Sequence, residues 1–379
     1  MKVLLISNYP PDKQQSMLRY ADMLKQELGK RGHTVDIVYP PVILGGFSFL
    51  RGSVKKWIGY IDKYFFAPSY LHKKAAQSDI IHICDHSNAM YLKCAGVKPV
   101  LITCHDLLAI FSARGVYPAT DVGLTGKILQ RWIAANLSRA PHAVCVSTKT
   151  QEDLETLSPG IREKTKVIHN PLNWNYSPAS SNAIAEAKAK SRLAQETEYL
   201  LHVGGNQWYK NRLGVMQIFT ALQGYPRFQN IKLMMAGKPW TPEMRQYCKS
   251  SGLTDRILER VEIPNQELQA LYSGALALLF PSREEGFGWP VLEAQACGCP
   301  VITSNRAPMT EIAGDAALFI DVESPELAAQ TIAEQISSLP SLREAGFRNL
   351  DRFATDKIID SYLAFYEQMT RQKPRPSSI

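Results

Sequence analysis

The chain predicts an α/β protein with two open parallel sheets, and three observations carry that prediction. Short apolar runs alternate with helix-period patterns from residue 2 to beyond 330, as in strand–helix–strand units with right-handed crossovers. The alternation pauses at 172–196, where Ser, Asn and Pro, then Ala and Lys, replace apolar periodicity as in a linker. At 379 residues the chain exceeds one ordinary core and suits two. The expected architecture is two Rossmann-like domains facing a cleft, 1–172 and 173–354, followed by a last helix and a polar tail in 355–379.

In the first half, residues 2–7 are an apolar strand ending in the turn Asn8-Tyr9-Pro10-Pro11-Asp12. Met17, Tyr20, Met23, Leu24 and Leu28 then recur at helical spacing until Gly29 and Gly32 stop the pattern, and 35–39 is the next strand. Between 47 and 74 large aromatics such as Phe47, Phe49, Trp57, Tyr60 and Tyr64 interleave with six Lys and Arg and one Asp. Within this stretch Val54, Trp57, Ile58, Ile61 and Phe65 share one helical face, with Lys55, Lys56, Asp62 and Lys63 elsewhere. That pattern predicts a basic amphipathic helix, which either faces the core or meets anionic lipid. Residues 80–84 and 100–103 are buried strands, and the second runs into His105-Asp106. An imidazole and a carboxylate at a strand's carboxyl end either reach a ligand or cap the following turn. Residues 143–146 form another strand, Ser147 caps the helix after it, and 167–169 completes the half.

The second half opens with a strand at 199–203 and the loop Gly204-Gly205-Asn206-Gln207-Trp208-Tyr209-Lys210-Asn211-Arg212. A glycine loop at a strand end with a lysine nearby suits a phosphate, the plainer alternative being a solvated surface lysine. A helix follows through Val215, Ile218 and Phe219, then strands at 231–236 and 257–263 and a short helix at 266–272. Ser324-Pro325-Glu326 starts a helix, 358–366 is a last apolar helical stripe, and the chain after Met369 is expected to be disordered.

Chemistry is most legible at 281–302, PSREEGFGWPVLEAQACGCPVI. The apolar run at 275–280 is a strand, Gly286 and Gly288 permit a tight turn, Pro290 suits a first helical turn, and Gly298 ends that helix. A strand feeding a glycine turn that opens a helix aims unpaired N–H groups and a helix dipole at one point, which suits an anion. Glu285 and Glu293, eight positions apart, border the same point. A carboxylate beside a phosphate repels the anion itself and suits a hydroxyl of an attached sugar.

This stretch resembles the EGFG-x4-E block of retaining glycosyltransferases of family 4, with Glu285 and Glu293 as the two glutamates of its E-x7-E motif. The resemblance covers nearly the whole chain, most closely 200–321, and implies the GT-B fold with the last helix crossing back to the first domain. It implies transfer of a sugar from a nucleotide-diphosphate donor, a UDP- or GDP-sugar, to a hydroxyl of a glycan, lipid-linked or small-molecule acceptor, with retention at the anomeric carbon. By the same resemblance Glu293 binds the ribose, the amides of Gly286, Phe287 and Gly288 hold the diphosphate, and Glu285 lies near the transferred sugar. Gly205 and Lys210 face the leaving diphosphate, and His105 approaches the sugar and phosphate. His105, Lys210 and Glu285 form the implied catalytic set. Two positions depart from the family pattern. Asp12-Lys13-Gln14-Gln15-Ser16 stands where a Gly-Gly pair is usual, and Asn206 stands where an Arg is common, a place Arg212 is able to take. No Asp-x-Asp triplet occurs, so amides and Lys210 are expected to do the work of a divalent metal, and no cofactor is expected.

Of the formal charge of +8, residues 1–172 hold 22 Lys and Arg against 13 Asp and Glu, leaving 21 against 22 in the remainder. This favours an anionic partner for the first half, whether membrane lipid, a phosphate-linked acceptor or nucleic acid. No run of eighteen apolar residues occurs, and the opening hydrophobic stretch leads into a turn without a small-residue cleavage site. A cytoplasmic protein is expected, with attachment to the inner face of the membrane as the variant. Seven cysteines, mostly inside apolar runs, are expected to be structural thiols. Two rival functions share features with this chain. A sugar-nucleotide 2-epimerase of the same fold would use a similar donor site, although E-x7-E argues against it. A basic nucleic-acid-binding protein would explain the pI near 9.0 and nothing else.

Overall fold

The computed structural model describes residues 1–12, 14–46, 58–117, 120 and 122–371. They form two compact units, one of Met1–Asn173 with the chain from Thr355 onward, the other of Trp174–Ala354.

In the first unit β1 (Lys2–Ile6), β2 (Thr34–Val38), β3 (Ile80–Ile83), β4 (Val100–Cys104), β5 (Ala143–Cys145) and β6 (Thr165–Val167) pair in parallel in the order β2-β1-β3-β4-β5-β6. Alternate residues of β1 enter different cores, Leu4 and Ile6 on one side and Val3 and Leu5 on the other, as a sheet covered on both faces requires. α1 (Gln15–Lys30) gives Tyr20, Leu24 and Leu28 to the second of these cores. α2 (Ala67–Ala75) and α4 (Leu124–Leu137) cover the other, with α3 (Leu108–Ala113) between them in sequence. Ser147 caps α5 (Thr148–Leu157), its hydroxyl accepting from Thr150 N at 3.1 Å.

In the basic aromatic segment the described residues depart from the core-facing alternative. Phe47, Phe49, Val54, Lys55, Lys56 and Trp57 lie outside the described residues. In the part described, a helix enters a π turn at Asp62–Phe66 before α2, and Ile61 and Phe65 of its apolar face turn outward. Asp62 is buried, while Ile61 is 44% and Phe65 74% exposed. The reason is polar: the Asp62 carboxylate accepts from Tyr9 Oη (2.6 Å) and from the backbone N–H groups of Ile43, Leu44 and Gly45 (3.1, 3.0 and 2.8 Å). Four donors outweigh the apolar faces of two side chains when only one side can turn inward. Lys63 likewise points into the protein, paired with Asp12 at 2.9 Å and lying over the Tyr60 ring.

The second unit repeats the plan. β7 (Tyr199–Gly204), β8 (Lys232–Gly237), β9 (Ile257–Val261), β10 (Ala277–Phe280), β11 (Val301–Ser304) and β12 (Leu318–Ile320) pair in parallel in the order β12-β11-β10-β7-β8-β9. The order reverses between β7 and β10, and the carboxyl ends of such neighbouring strands bound the crevice where open sheets bind ligands. The stretch read as a linker is in fact packed. It contains α6 (Ser181–Lys190), capped by Ser180, and its preceding turn is tied to α9 (Asn265–Gly274) by Ala179 N to Ser273 Oγ (3.0 Å) and Gln269 Nε2 to Ser177 O (2.7 Å). α7 (Arg212–Leu222) follows β7, α8 (Pro242–Ser250) follows β8, and α10 (Trp289–Ala296) follows β10. α11 (Met309–Ala313), α12 (Pro325–Gln335) and α13 (Leu339–Asn349) complete the unit.

α14 (Thr355–Arg371) belongs to the first unit. Its Ile358, Ile359, Tyr362, Phe365, Tyr366 and Met369 enter the same core as Val3 and Leu5. Tyr362 Oη meets Tyr20 Oη at 2.6 Å, and Tyr366 Oη meets His82 Nδ1 at 2.6 Å, while His82 Nε2 meets Thr103 Oγ1 at 2.7 Å. Burial pushes the His82 pKa down to about 3, so the ring is neutral, one nitrogen donating and the other accepting. The tail expected to be disordered remains helical to Arg371, and the residues after it lie outside those described.

Candidate active site

The loops after β7 and β10 carry the sequence-selected residues of the second unit. After β7 the chain passes Gly205 and Asn206, makes one 3-10 turn at Trp208–Lys210, and enters α7 through Asn211, whose φ is +53°. Asn211 Nδ2 donates to Pro281 O (3.0 Å) and Arg283 N donates to Tyr209 O (2.8 Å), so the two loops are stitched directly. Gly237, at the end of β8, has φ +140°, and a Cβ there would lie 2.0 Å from Gly204 O. Only glycine lets these two strand ends lie so close.

Lys210 and Glu285 are brought together, Nζ to Oε1 at 2.6 Å, with both side chains mostly buried. The ammonium also lies 5.3 Å from the centre of the Phe280 ring. Beneath it His202 donates through Nδ1 to Leu279 O at 3.0 Å. Burial holds its pKa down to about 3 against that hydrogen bond, with Arg212 and Lys210 adding to the fall. A neutral imidazole there adds no charge under the lysine.

Arg212 is 4% exposed and donates to Asn206 Oδ1 and, at 2.7 Å, to Lys238 O. Asn206 Nδ2 in turn donates to Pro239 O at 2.7 Å. The Arg212 guanidinium therefore reaches the side chain that stands in the family's arginine position. Its Nε and second Nη have no hydrogen-bond partner among the described residues, and burial lowers its pKa against the attraction of Glu259.

On the β10 side Gly288 is the residue before α10, with φ +99°, and a Cβ there would lie 2.4 Å from Met309 Cε. Gly286 and Phe287 precede it, and Pro290 occupies the first turn. Glu293 is the fifth residue of α10 rather than part of its first turn, and it is buried. Its Oε2 accepts from Tyr272 Oη at 2.9 Å, and burial raises the Tyr272 pKa well above its ordinary value. The phenol thus stays a donor to the carboxylate. Gly298 (φ +69°) follows the helix, as its spacing predicts.

His105 lies in the first unit, just beyond β4, buried with its Nε2 donating to Cys84 O at 2.9 Å. Burial lowers its pKa against the pull of Asp85. Asp106 caps a turn, accepting from Leu108 N at 3.1 Å. Nearby is a polar group that sequence reasoning did not single out: Asp85 accepts from Asn8 Nδ2 (2.5 Å) and Ser87 N (2.8 Å) with His86 Nδ1 at 3.3 Å. Burial opposes its ionisation, yet His86, His105 and these donors hold it below the usual carboxylate range. The only signal for it in the sequence was Asp85-His86 at the end of the apolar run at 80–84. Tyr272, His202 and Asn211 were also missed, because each acts through a residue 21 to 77 positions away. Among the described residues no group of His, Cys, Asp and Glu is placed to hold a metal ion, and no helix is long and apolar enough to cross a membrane.

Two family descriptions match the chain, "Glycosyltransferase Family 4" over 17–175 and "Glycosyl transferases group 1" over 183–346. O-antigen chain mannosyltransferase B of Escherichia coli is 24% identical over 241 residues, covering 63% of this chain and 62% of that protein. A D-inositol 3-phosphate glycosyltransferase of Corynebacterium glutamicum is 24% identical over 246 residues, covering 62% of this chain and 57% of that one. The chain thus spans about three fifths of the length of these curated relatives. Among solved structures, HepE of Anabaena in complex with UDP-glucose matches with a TM-score of 0.73 at 16% identity, covering 97% of this chain and all of that one. Sucrose-phosphate synthase of Thermosynechococcus elongatus matches with a TM-score of 0.71 at 19% identity, covering 97% and 99%. These structural likenesses concern the fold, which is GT-B. With the family 4 match lying over the first parallel-sheet unit and the group 1 match over the second, the chain belongs to the group 1, family 4 glycosyltransferases.

Proposed function

We propose that the protein transfers a sugar from a nucleotide-diphosphate donor to a hydroxyl of a glycan, lipid-linked or small-molecule acceptor, with retention and without a bound metal. The observation that carries this reading is the Lys210–Glu285 pair, held at 2.6 Å beside a glycine-opened helix with Glu293 one turn further on. A buried lysine needs a counter-anion. Glu285 supplies it in the ligand-free protein, and a donor diphosphate would supply it when bound, leaving Glu285 to face the sugar. As the glycosidic bond breaks, charge grows on the diphosphate, and Lys210 with the amides of 286–288 opposes that charge more strongly than it does the intact donor. Arg212 is suited to the role of the missing arginine, since two of its nitrogens have no partner among the described residues and it already holds Asn206. Glu293 accepts from the ribose hydroxyls, and Tyr272 fixes its carboxylate. His105 is assigned to the sugar and phosphate. HepE was crystallised with UDP-glucose, and a uridine donor is therefore the first to test, with GDP-sugars second. With such acceptors, a protein of the cytoplasm, free or attached to the inner face of the membrane, is the matching reading.

The test is a thermal-shift screen of nucleotide-sugars, in which a ligand at a hundred times its dissociation constant adds about 2.7 kcal/mol, followed by NMR of the product. Transfer with the donor's anomeric configuration preserved is expected, undiminished by a chelator. Release of an isomerised free sugar would support the epimerase reading, inversion would remove the retaining one, and loss of activity on chelation would remove metal independence.

A further inference from the structure

We infer that α4 and the helix before α2 form a docking surface for the face of an anionic lipid bilayer. α4 is apolar on two sides. Inward it gives Ile133, Ala134 and Leu137 to the core. Outward, Leu124, Ile128 and Trp132 recur every four residues on the opposite side and are 74%, 58% and 42% exposed. Single exposed apolar residues need no explanation, but three aligned large ones on consecutive turns do. Lys127 and Arg131 share this outer face, both exposed and neither ion-paired among the described residues, and α4 contains no acid. Between residues 107 and 151 the sequence has five Lys and Arg and one acid, Asp121.

The ridge continues onto the neighbouring helix. The Tyr64 ring meets Trp132 edge-on at 4.9 Å, and beside it Ile61 and Phe65, four apart, point outward because Asp62 is held inside. An apolar ridge rimmed by cations is the composition of a helix lying in the headgroup region, with Trp at the boundary. A protein groove would also accept the apolar side chains. The unpaired cations on the same face favour an anionic surface instead. The inference deepens the lipid-linked acceptor reading, but its test uses neither donor nor acceptor, so its failure would leave the transferase reading standing.

The full chain is sedimented with phosphatidylcholine vesicles with and without phosphatidylglycerol. Binding is expected to the anionic vesicles and to weaken with salt, with a blue shift of tryptophan emission that Trp132→Phe reduces. Lys127→Gln with Arg131→Gln should lower partitioning by about thirtyfold, and Leu124→Gln with Ile128→Gln by at least about tenfold. Both doubles alter exposed side chains, and an unchanged melting temperature confirms that each is folded. If the apolar double does not fold, the charge double and the salt dependence of the parent decide. Absence of binding to anionic vesicles, or equal binding by parent and both doubles, overturns the inference. Self-association that Leu124→Gln with Ile128→Gln abolishes, without vesicle binding, would assign the face to a second copy.

Discussion

At the scale of single residues, Lys210 serves two states, and the pair with Glu285 predicts effects that separate them. Lys210→Ala should depress turnover about a hundred- to a thousandfold, comparable to removing one oriented electrostatic donor, with a smaller loss of donor affinity. It should also lower the melting temperature of the ligand-free protein, because it leaves the mostly buried Glu285 carboxylate without its cation. Adding Glu285→Gln should restore stability without restoring turnover. Steady-state kinetics and thermal melts read the two effects separately, and normal turnover by Lys210→Ala would remove the leaving-group role. Glu293→Ala should weaken nucleoside diphosphate binding by about 1.5–3 kcal/mol, since charge-assisted hydrogen bonds to ribose are lost. Tyr272→Phe should weaken it less, because Tyr272 only orients that carboxylate. Isothermal titration of UDP and GDP distinguishes them.

At the scale of elements, the conformation at each helix entry matters more than helix propensity. Gly288→Ala forces a Cβ into the Met309 side chain at a φ of +99°, so stability should fall by at least about 1 kcal/mol and donor binding with it. Urea unfolding with and without nucleotide measures both. Asp62→Ala strips the acceptor from three backbone N–H groups and Tyr9, and Asp62→Asn, which keeps an acceptor oxygen, should unfold later in urea. Those two elements also mark where sequence reading succeeded and where it stopped. The block at 281–302 was legible because strand, glycine, proline and glycine follow one another locally, each needed by the backbone beside it. The helix at 58–66 stayed between a core-facing and a lipid-facing reading, because the donors that draw Asp62 inward come from Tyr9 and the chain at 43–45. α4 was overlooked altogether: with Leu, Ile and Trp on its outer side as well as Ile and Leu on its inner side, it shows no clean periodicity. The linker expectation failed for the opposite reason, since α6 buries only Ala187 and announces itself mainly by its Ser180 cap.

At the scale of the whole molecule, each unit carries a histidine with no exposed surface, His82 in the first and His202 in the second. Both have folded pKa values of about 3, lowered from 6.5 by burial. A base whose pKa is depressed on folding binds more protons when unfolded, so stability is full above about pH 6.5 and falls as the pH drops toward 3. Each histidine contributes a slope of up to about 1.4 kcal/mol per pH unit in that window. Urea midpoints measured from pH 7 to pH 4 should decline accordingly, and Tyr366→Phe should lower them at every pH by removing a partner of His82. A flat profile across this window would mean that the two rings are not held neutral. The return of α14 to the first unit sets an order of events during synthesis. The second unit, Trp174–Ala354, is complete in sequence before Tyr362 and Tyr366 are translated. As the chain emerges from the ribosome, the unit that begins first is therefore the one finished last. Until α14 arrives, the face of its sheet bearing Val3 and Leu5 has only the cover of α1, without the apolar side chains from Ile358 to Met369, and chaperone contacts on the nascent chain should persist there longest.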